Sequence, residues 1–555
     1  MKQHPLFVQR LLKPLDDLLE ELEASRVGDP SIPIKLFFSF DEVSNIIDGK
    51  NRTMLDCLRK AIRVLSEKPI WAFVLSTKTP LASTTPAAGA EASLRLSERK
   101  LKRVAPFYTF AFDLEANRNF KVDRRKQLEK PLDAFSTKEH MISFGRPLWN
   151  IYRTSSYNDI RELALIKLLG GIRGGVVYSP GDKNHVLAML SVRVCLDPCL
   201  QTSRAVEMAS SAIDSHLRVI VQMNSDYGLM KTASPPEPIL AEAAAFGLRA
   251  KHREHNPWAL TLKVLYTELL SGGLVDKGTV GELGTCVLLI MARDCLFNSV
   301  AGNHGPIYAN HFGVSEFLGS LFQPRYLVLL GLQPAHNFLA GRMNFTHFAC
   351  TDRHARSAEM RKLLHVLLMT QAALQGCPDQ EFWDLLIPVY FGPPDKPFNL
   401  DQVSALFIQI KNRRRAFSQN LTKEGWGRCF DWNEAKAPVL FLQLELGVKN
   451  PKQHFKHVMS EFPEVHAGRV IGFSNENYRD PQGDDDSRYW IQQLLQPSAT
   501  SLDVQQNNQD LVLRFNQLTP ETCFFGCREG KEHGLADDGG VVQENVKKQK
   551  MGLEE

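Results

Sequence analysis

Between Gly278 and about Val448 the chain reads as a long helix, an irregular segment, a second helix, and then apolar runs at Asp384 to Phe391, Val403 to Lys411 and Val439 to Leu446. Short apolar runs bounded by Gly, Pro and Asp are strand signals, and strands following helices in one stretch point to an α/β layer structure. Whatever else the chain does must be built around that unit. At 555 residues it is too long for one hydrophobic core, so two or three domains with a tail are expected.

The first part also alternates helical and apolar extended segments. A helix is expected around Leu15 to Glu23, a strand at Ile34 to Phe40, a helix at Thr53 to Ser66 and a strand at Trp71 to Ser76. The stretch Thr79 to Ser93, rich in small residues and proline, reads as a surface loop. From Arg161 to Leu270 the pattern is mainly helical, with apolar positions such as Leu163, Ile166 and Leu169 at three-residue spacing. Beyond Gly472 the chain turns polar, and its last residues are charged.

Composition narrows the function classes. With 43% hydrophobic and 23% charged residues the chain resembles an average globular protein. Its net charge of +4 is small, so a nucleic-acid partner would be met by a local basic patch. The N-terminal MKQHPLFVQRLLKPLDDLLEELEAS reads as an amphipathic helix and not a secretory signal, and no stretch has the apolar length to span a bilayer. An intracellular location, cytoplasmic or nuclear, with no membrane partner is expected. In that setting the triplets at Asn51, Asn344 and Asn420 are not glycosylation sites, and the ten cysteines should be reduced thiols. His347, Cys350 and His354 have metal-ligand character but read as ordinary packing.

Two motifs carry chemistry. Lys35 to Glu42, KLFFSFDE, has the form of a Walker B element, in which an Asp holds magnesium through water and the following Glu polarises the attacking water. Asp41 and Glu42 fit those roles, although a strand running into a loop often ends in acids. Ile70 to Thr77, IWAFVLST, ends in Ser76 and Thr77 and is similar to the sensor strand beside Walker B. No G-x-x-x-x-G-K-[ST] occurs, so the phosphate cradle and its lysine are missing and ATPase activity is not expected. ATP enters only if that loop has been lost by truncation.

The second motif lies in the strands. Asp384 begins DLLIPVYF, a loop GPPDKPFN follows, and SALFIQIKN returns with Gln409 and Lys411 two apart and therefore on one face. This is the arrangement of metal-dependent phosphodiesterases of the PD-(D/E)XK kind, in which an Asp heads one strand, an acid-x-Lys ends the next, and a preceding helix adds a Glu. Asp384 would ligate Mg or Mn and Lys411 would orient water or neutralise the transition state. Gln409 stands at the acidic position and offers magnesium a neutral carbonyl. Glu282, at the head of an apolar helix, is the candidate helix acid and metal ligand, with a capping box to Thr279 as its rival explanation. A plain hairpin with polar ends is the bland alternative for the strand pair. Arg413, Arg414 and Arg415 follow directly and could contact a phosphate backbone, although a charge run is usually a solvated face.

Together LFFSFDE (Leu36 to Glu42), GRPLW (Gly145 to Trp149), SPPEPILAEAA (Ser234 to Ala244), GELGTCVLLIMARD (Gly281 to Asp294) and FIQIKN (Phe407 to Asn412) resemble fungal Crinkler and retrotransposon-hot-spot-like proteins. In these a P-loop ATPase domain precedes a PD-(D/E)XK nuclease-like domain. The resemblance covers roughly residues 30 to 450. It implies action on DNA or RNA, in mobile elements or as an effector, and an α/β multidomain fold. The expected division is a partial P-loop ATPase-like α/β domain lacking Walker A at 1–160, a helical linking region at 161–270, a restriction-endonuclease-like α/β domain at 271–450, and a polar, partly disordered extension at 451–555. Glu237 and Glu242 are explained by a helix start at Pro238 and given no chemical role. A non-catalytic nucleic-acid or protein interaction module that has lost both activities is the alternative function.

Overall fold

The computed structural model describes residues 8–25, 36–40, 58, 61–62, 65, 68–75, 112–122, 130–171, 177–200, 202–224, 229–249, 257–275, 280–297, 307–325, 337–351, 354–355, 359–377, 380–412, 437–449, 451–457, 465–480 and 483–495. They form a mixed α/β structure. Helix α1, Lys13–Ala24, begins with a proline in its first turn and buries Leu15 and Leu19, one turn apart, beneath an acidic outer face. Strands β1, Leu36–Phe40, and β2, Ile70–Val74, pair in parallel from Leu36↔Ile70 to Phe40↔Val74.

The next stretch is chiefly helical. Ser156 and Asp159 form a capping box that starts α2, Tyr157–Leu168, and Asp182 caps α3, Lys183–Ser191. Thr202 caps α4, Ser203–Ser215. The stretch expected to be mainly helical also holds an antiparallel hairpin, β3 Val219–Asn224 with β4 Leu229–Ala233. Helices α5, Pro238–Arg249, and α6, Pro257–Val264, complete the layer.

Two of the sequence motifs meet here. Fully buried Glu237 accepts hydrogen bonds from Arg146 N at 3.0 Å, Arg146 Nε at 2.9 Å and Trp149 Nε1 at 2.6 Å. Gly145 sits at φ 82°, and a Cβ there would lie 2.3 Å from the Glu237 carboxylate, so only glycine lets the chain come so close. Glu242, also fully buried, accepts from Tyr308 N at 3.0 Å. Both acids thus serve packing.

Helix α7, Val280–Cys295, follows, with Cys286 to Ala292 buried on every side. Short strands β5 (Phe312–Gly313), β6 (Arg342–Met343) and β7 (His347–Cys350) lead to α8, Met360–Thr370. That helix ends in left-handed Gln371, which turns the chain directly into β8, Ala372–Gln375. Then come β9 Leu385–Tyr390, β10 Val403–Lys411, β11 Val439–Glu445, β12 Phe455–His457, β13 Val465–Ile471 and helix α9, Asp485–Leu495.

These strands form a nine-stranded mixed sheet in the order β12-β13-β11-β10-β9-β6-β5, with β8 also beside β9 and β7 beside β8. β10 runs antiparallel to β9 and parallel to β11, and β11 runs parallel to β13. The sheet therefore continues past residue 450, and α9 packs its Ile491 and Leu494 into the same core. Leu406, Ile408 and Ile410 face a large core shared with α7 and the helical layer, whereas Val403, Ala405 and Phe407 face a second core with Leu364 and Leu368 of α8.

Beyond apolar packing, a buried ion network joins the layer to the sheet. Arg193 bonds the Thr346 carbonyl at 2.7 Å and Asp294 at 2.8 Å, and Arg293 bonds Asp294 at 2.9 Å. Cys195 and Cys350 form a disulfide across the same seam, with Cα atoms 6.3 Å apart, so the expectation of reduced thiols fails at this pair because the fold brings residues 155 positions apart into bonding reach. Among the described residues no helix is long and apolar enough to cross a membrane.

The Glu237 network yields a stability prediction. Glu237→Ala strands Arg146 and the Trp149 indole N–H without their acceptor, and urea denaturation should show a loss of about 3–5 kcal/mol. A loss below ~1 kcal/mol, the size of an exposed pair, would show that the carboxylate does not hold these segments together.

Candidate functional site at the end of the central strands

The β9–β10 ladder fixes the first candidate residue. Its last paired residues are Leu385 and Ile408, so Asp384 stands opposite Gln409 one step further along. Asp384 N donates to Ile408 O at 2.9 Å, and Asp384 Oδ2 accepts from Ile410 N at 2.5 Å. The residue is thus held by β10 through both backbone and side chain.

Gln409 and Lys411 follow Val403, Ala405 and Phe407 along the α8 side of β10, as strand alternation requires. Gln409 is buried, and Lys411, the next residue on that face, emerges partly at the strand end. Parallel register extends the polar row: Gln409 lies beside Gln443, and Gln443 beside Arg469. Lys411 lies beside Glu445. The segments FIQIK and FLQLE thus repeat one pattern on neighbouring strands, a signal present in the sequence that the search for a single Asp and Q-x-K passes over.

Glu282 comes from the other side of the sheet. The first turn of α7 reaches the strand end because Gly281 packs against Asn412, where an added Cβ would lie 3.2 Å from the Asn412 side chain. The Glu282 carboxylate accepts from Gln375 Nε2 at 2.9 Å, so it is engaged across to β8. Its capping partner in the rival explanation, Thr279, lies outside the described residues. Gln375 has no local motif to mark it; only the pairing of β8 with β9 reveals its place.

The electrostatics tie these groups together. Burial pushes the Glu282 carboxyl above the usual carboxylate range, the Gln375 amide opposes this, the negative charge of Asp384 adds to the rise and Lys411 counters it. Burial likewise raises Asp384, opposed by the Ile410 N–H and by Lys411. Glu282, Asp384 and Lys411 therefore sense one another, and Gln409 adjoins them. Perturbed carboxyls beside a lysine at a strand end are the kind of cluster in which proton transfer and metal binding are tuned.

Two carboxylates and an amide carbonyl are all oxygen donors, the type that hard divalent cations take. Among the described residues no three His, Cys, Asp or Glu side chains gather as a metal site, so Gln409 would have to complete the set. The other histidines and cysteines singled out in the sequence go separate ways. Burial and the nearby Arg193 and Arg293 hold the His347 ring down to about 3. Cys350 is in the disulfide, and His354 Nδ1 lies 3.6 Å from Cys377 Sγ. Asp41, Glu42, Arg413, Arg414 and Arg415 lie outside the described residues.

Comparison of the chain with protein-family models, with curated proteins and with solved structures finds no match in any of the three.

The raised carboxyls give a pH prediction with a definite sign. Between the usual carboxylate range and their raised folded values, the folded protein binds more protons than the unfolded chain, so stability falls as pH rises through that window. Asp384→Asn keeps the acceptor for Ile410 N and removes the penalty. Its melting temperature should exceed that of the parent at neutral pH and match it near pH ~3, below the usual Asp range. A variant less stable at neutral pH would contradict the assignment of Asp384 as a burdened carboxylate.

Proposed function

We propose that this chain is a metal-dependent nuclease-like protein acting on nucleic acid, fused to a degenerate or truncated P-loop ATPase-like segment. The observation that carries the reading is the approach of Glu282 from a helix, Asp384 from just before β9, and Gln409 and Lys411 from β10 at one end of a mixed sheet. Asp384 and Glu282, with the Gln409 carbonyl, would hold Mg or Mn. When bound, the cation supplies charge stabilisation on the phosphate and a more acidic water. Lys411 places its ammonium where the scissile phosphate gathers negative charge. Gln409 contributes no charge, so metal affinity is lower than with an acid there. Arg413, Arg414 and Arg415, next along the chain, would track the phosphate backbone.

On this reading the chain belongs with the fungal Crinkler and retrotransposon-hot-spot-like proteins, and the 271–450 segment is its restriction-endonuclease-like part. The parallel pairing of β1 and β2 supports the Walker B and sensor-strand reading of the N-terminal segment. No ATP hydrolysis is proposed, since G-x-x-x-x-G-K-[ST] is absent from the sequence.

One observation favours a second reading, a binding module without chemistry: the acidic position is occupied by neutral Gln409. In that case nucleic-acid binding survives Lys411→Ala.

Cleavage of single- and double-stranded DNA and RNA with Mg²⁺ or Mn²⁺ separates the two. The parent should cut, and Asp384→Ala and Lys411→Ala should each lose about 10²-fold or more, the scale of removing one group that stabilises transition-state charge. A folded parent that cuts none of the four substrates ends the enzyme reading.

A further inference from the structure

The Cys195–Cys350 disulfide ends within reach of the candidate site. Cys350 closes β7 and lies in register with Gln375, the last residue of β8. Its Sγ is 3.9 Å from Gln375 Oε1, while Nε2 of the same amide donates to Glu282 at 2.9 Å. One buried amide thus stands between the sulfur and a carboxylate of the site.

Each sulfur also faces a carbonyl oxygen. Cys195 Sγ lies 3.7 Å from Phe348 O, and Cys350 Sγ faces the oxygen of Gln375. A disulfide sulfur has no proton to give these oxygens, whereas a thiol is a weak donor. The fold therefore holds an acceptor ready for both thiols of the reduced pair. The two sulfurs differ in access: Cys350 is exposed at the strand end, and Cys195 is half-buried. An exposed disulfide sulfur is the one that a small thiolate can attack.

We infer that Cys195 and Cys350 form a redox switch on Glu282, with Gln375 as the positioning residue that transmits it. This deepens the proposed function and rests on its assignment of Glu282. A small-molecule thiol, as its thiolate, attacks Cys350 Sγ; the S–S bond breaks, and Cys195 leaves as a thiolate that takes up a proton. A second equivalent attacks the small-molecule sulfur of the mixed disulfide and releases Cys350, which is protonated in turn. The protein has gained two electrons and two protons, and the small thiol leaves as its own disulfide. The Cys350 S–H then donates to Gln375 Oε1, which fixes the amide with its Nε2 toward Glu282. A fixed amide holds the carboxylate in one orientation, so the reduced protein holds Mg²⁺ or Mn²⁺ more tightly. Oxidation removes that donor and loosens the site.

The test reads the cysteines first and the cation second. The full chain is equilibrated without metal in mixtures of reduced and oxidised glutathione at fixed pH, and the fraction of Cys195 and Cys350 open to alkylation is read by peptide mass spectrometry. The pair should open within the series. Gln375→Met should require a mixture about threefold more reducing, the scale of one weak hydrogen bond lost from the reduced state alone. A pair that stays closed or stays open throughout overturns the inference, as do equal midpoints in the parent and Gln375→Met. Should Gln375→Met not fold, the exposed position 350 decides: Cys350→Ser, whose hydroxyl replaces the thiol donor, should melt above Cys350→Ala, and an equal or lower melting temperature overturns the inference. By calorimetry the reduced parent should bind Mn²⁺ about threefold more tightly than the oxidised one, because coupling between two sites is reciprocal. Equal affinities in the two states overturn the switch. If the parent takes up no Mn²⁺ in either state, the proposed function falls, while the glutathione series still decides whether Gln375 is coupled to the cysteine pair.

Discussion

The structure depends on a strand buried on both faces. β10 carries Leu406, Ile408 and Ile410 against one core and Val403, Ala405 and Phe407 against another. Inside-outside alternation cannot fix the register of such a strand, because a slip by one residue merely exchanges apolar side chains. The polar pair at its end can. Each buried apolar side chain is worth about 1.5–3 kcal/mol, whereas drawing the Lys411 ammonium into the core costs more than any of them returns unless a partner is found. The residues of the candidate site are therefore also those that hold β10 at its position between β9 and β11. Chemistry and register are set by the same side chains.

Much of this architecture was legible in the sequence where apolar runs are long and their ends chemically marked. Val403 to Lys411 is observed as read, and the strands expected at Asp384 to Phe391 and Val439 to Leu446 appear at Leu385–Tyr390 and Val439–Glu445. The helix expected around Leu15 to Glu23 lies at Lys13–Ala24. The strands at Val219–Asn224 and Leu229–Ala233 escape a local reading because they interrupt a run of helical patterns and are stabilised by each other. VHAGRVI at Val465–Ile471 mixes His, Gly and Arg into a strand, and its pairing with β11 and β12 makes it one. Pairing between distant segments is a tertiary fact.

The same division holds at the site. Asp384 and the Gln409–Lys411 pair are marked by alternation within one hairpin, so spacing alone relates them. Glu282 could be proposed from its place on a helix, but its hydrogen bond from Gln375, on a strand 93 residues away, appears only in the fold. The disulfide between Cys195 and Cys350 escaped for a related reason, since no local spacing relates two cysteines 155 positions apart. Arg469 and Glu445 look like ordinary strand residues until the register places them beside Gln443 and Lys411.

The larger core runs without a break from Trp149 through α5 and α7 to Ile408 in the sheet and Leu494 in α9. Arg193 and Asp294 close the same seam with charge, one from the loop after α3 and the other from α7. The helical layer and the sheet are thus not interchangeable modules. A recombination event that joined this sheet to a foreign helical layer would leave buried arginine, aspartate and leucine facing the wrong partners. Such a lineage passes on the two layers as one heritable block, and substitutions on one side of the seam are tolerated only where the other side has changed to suit them.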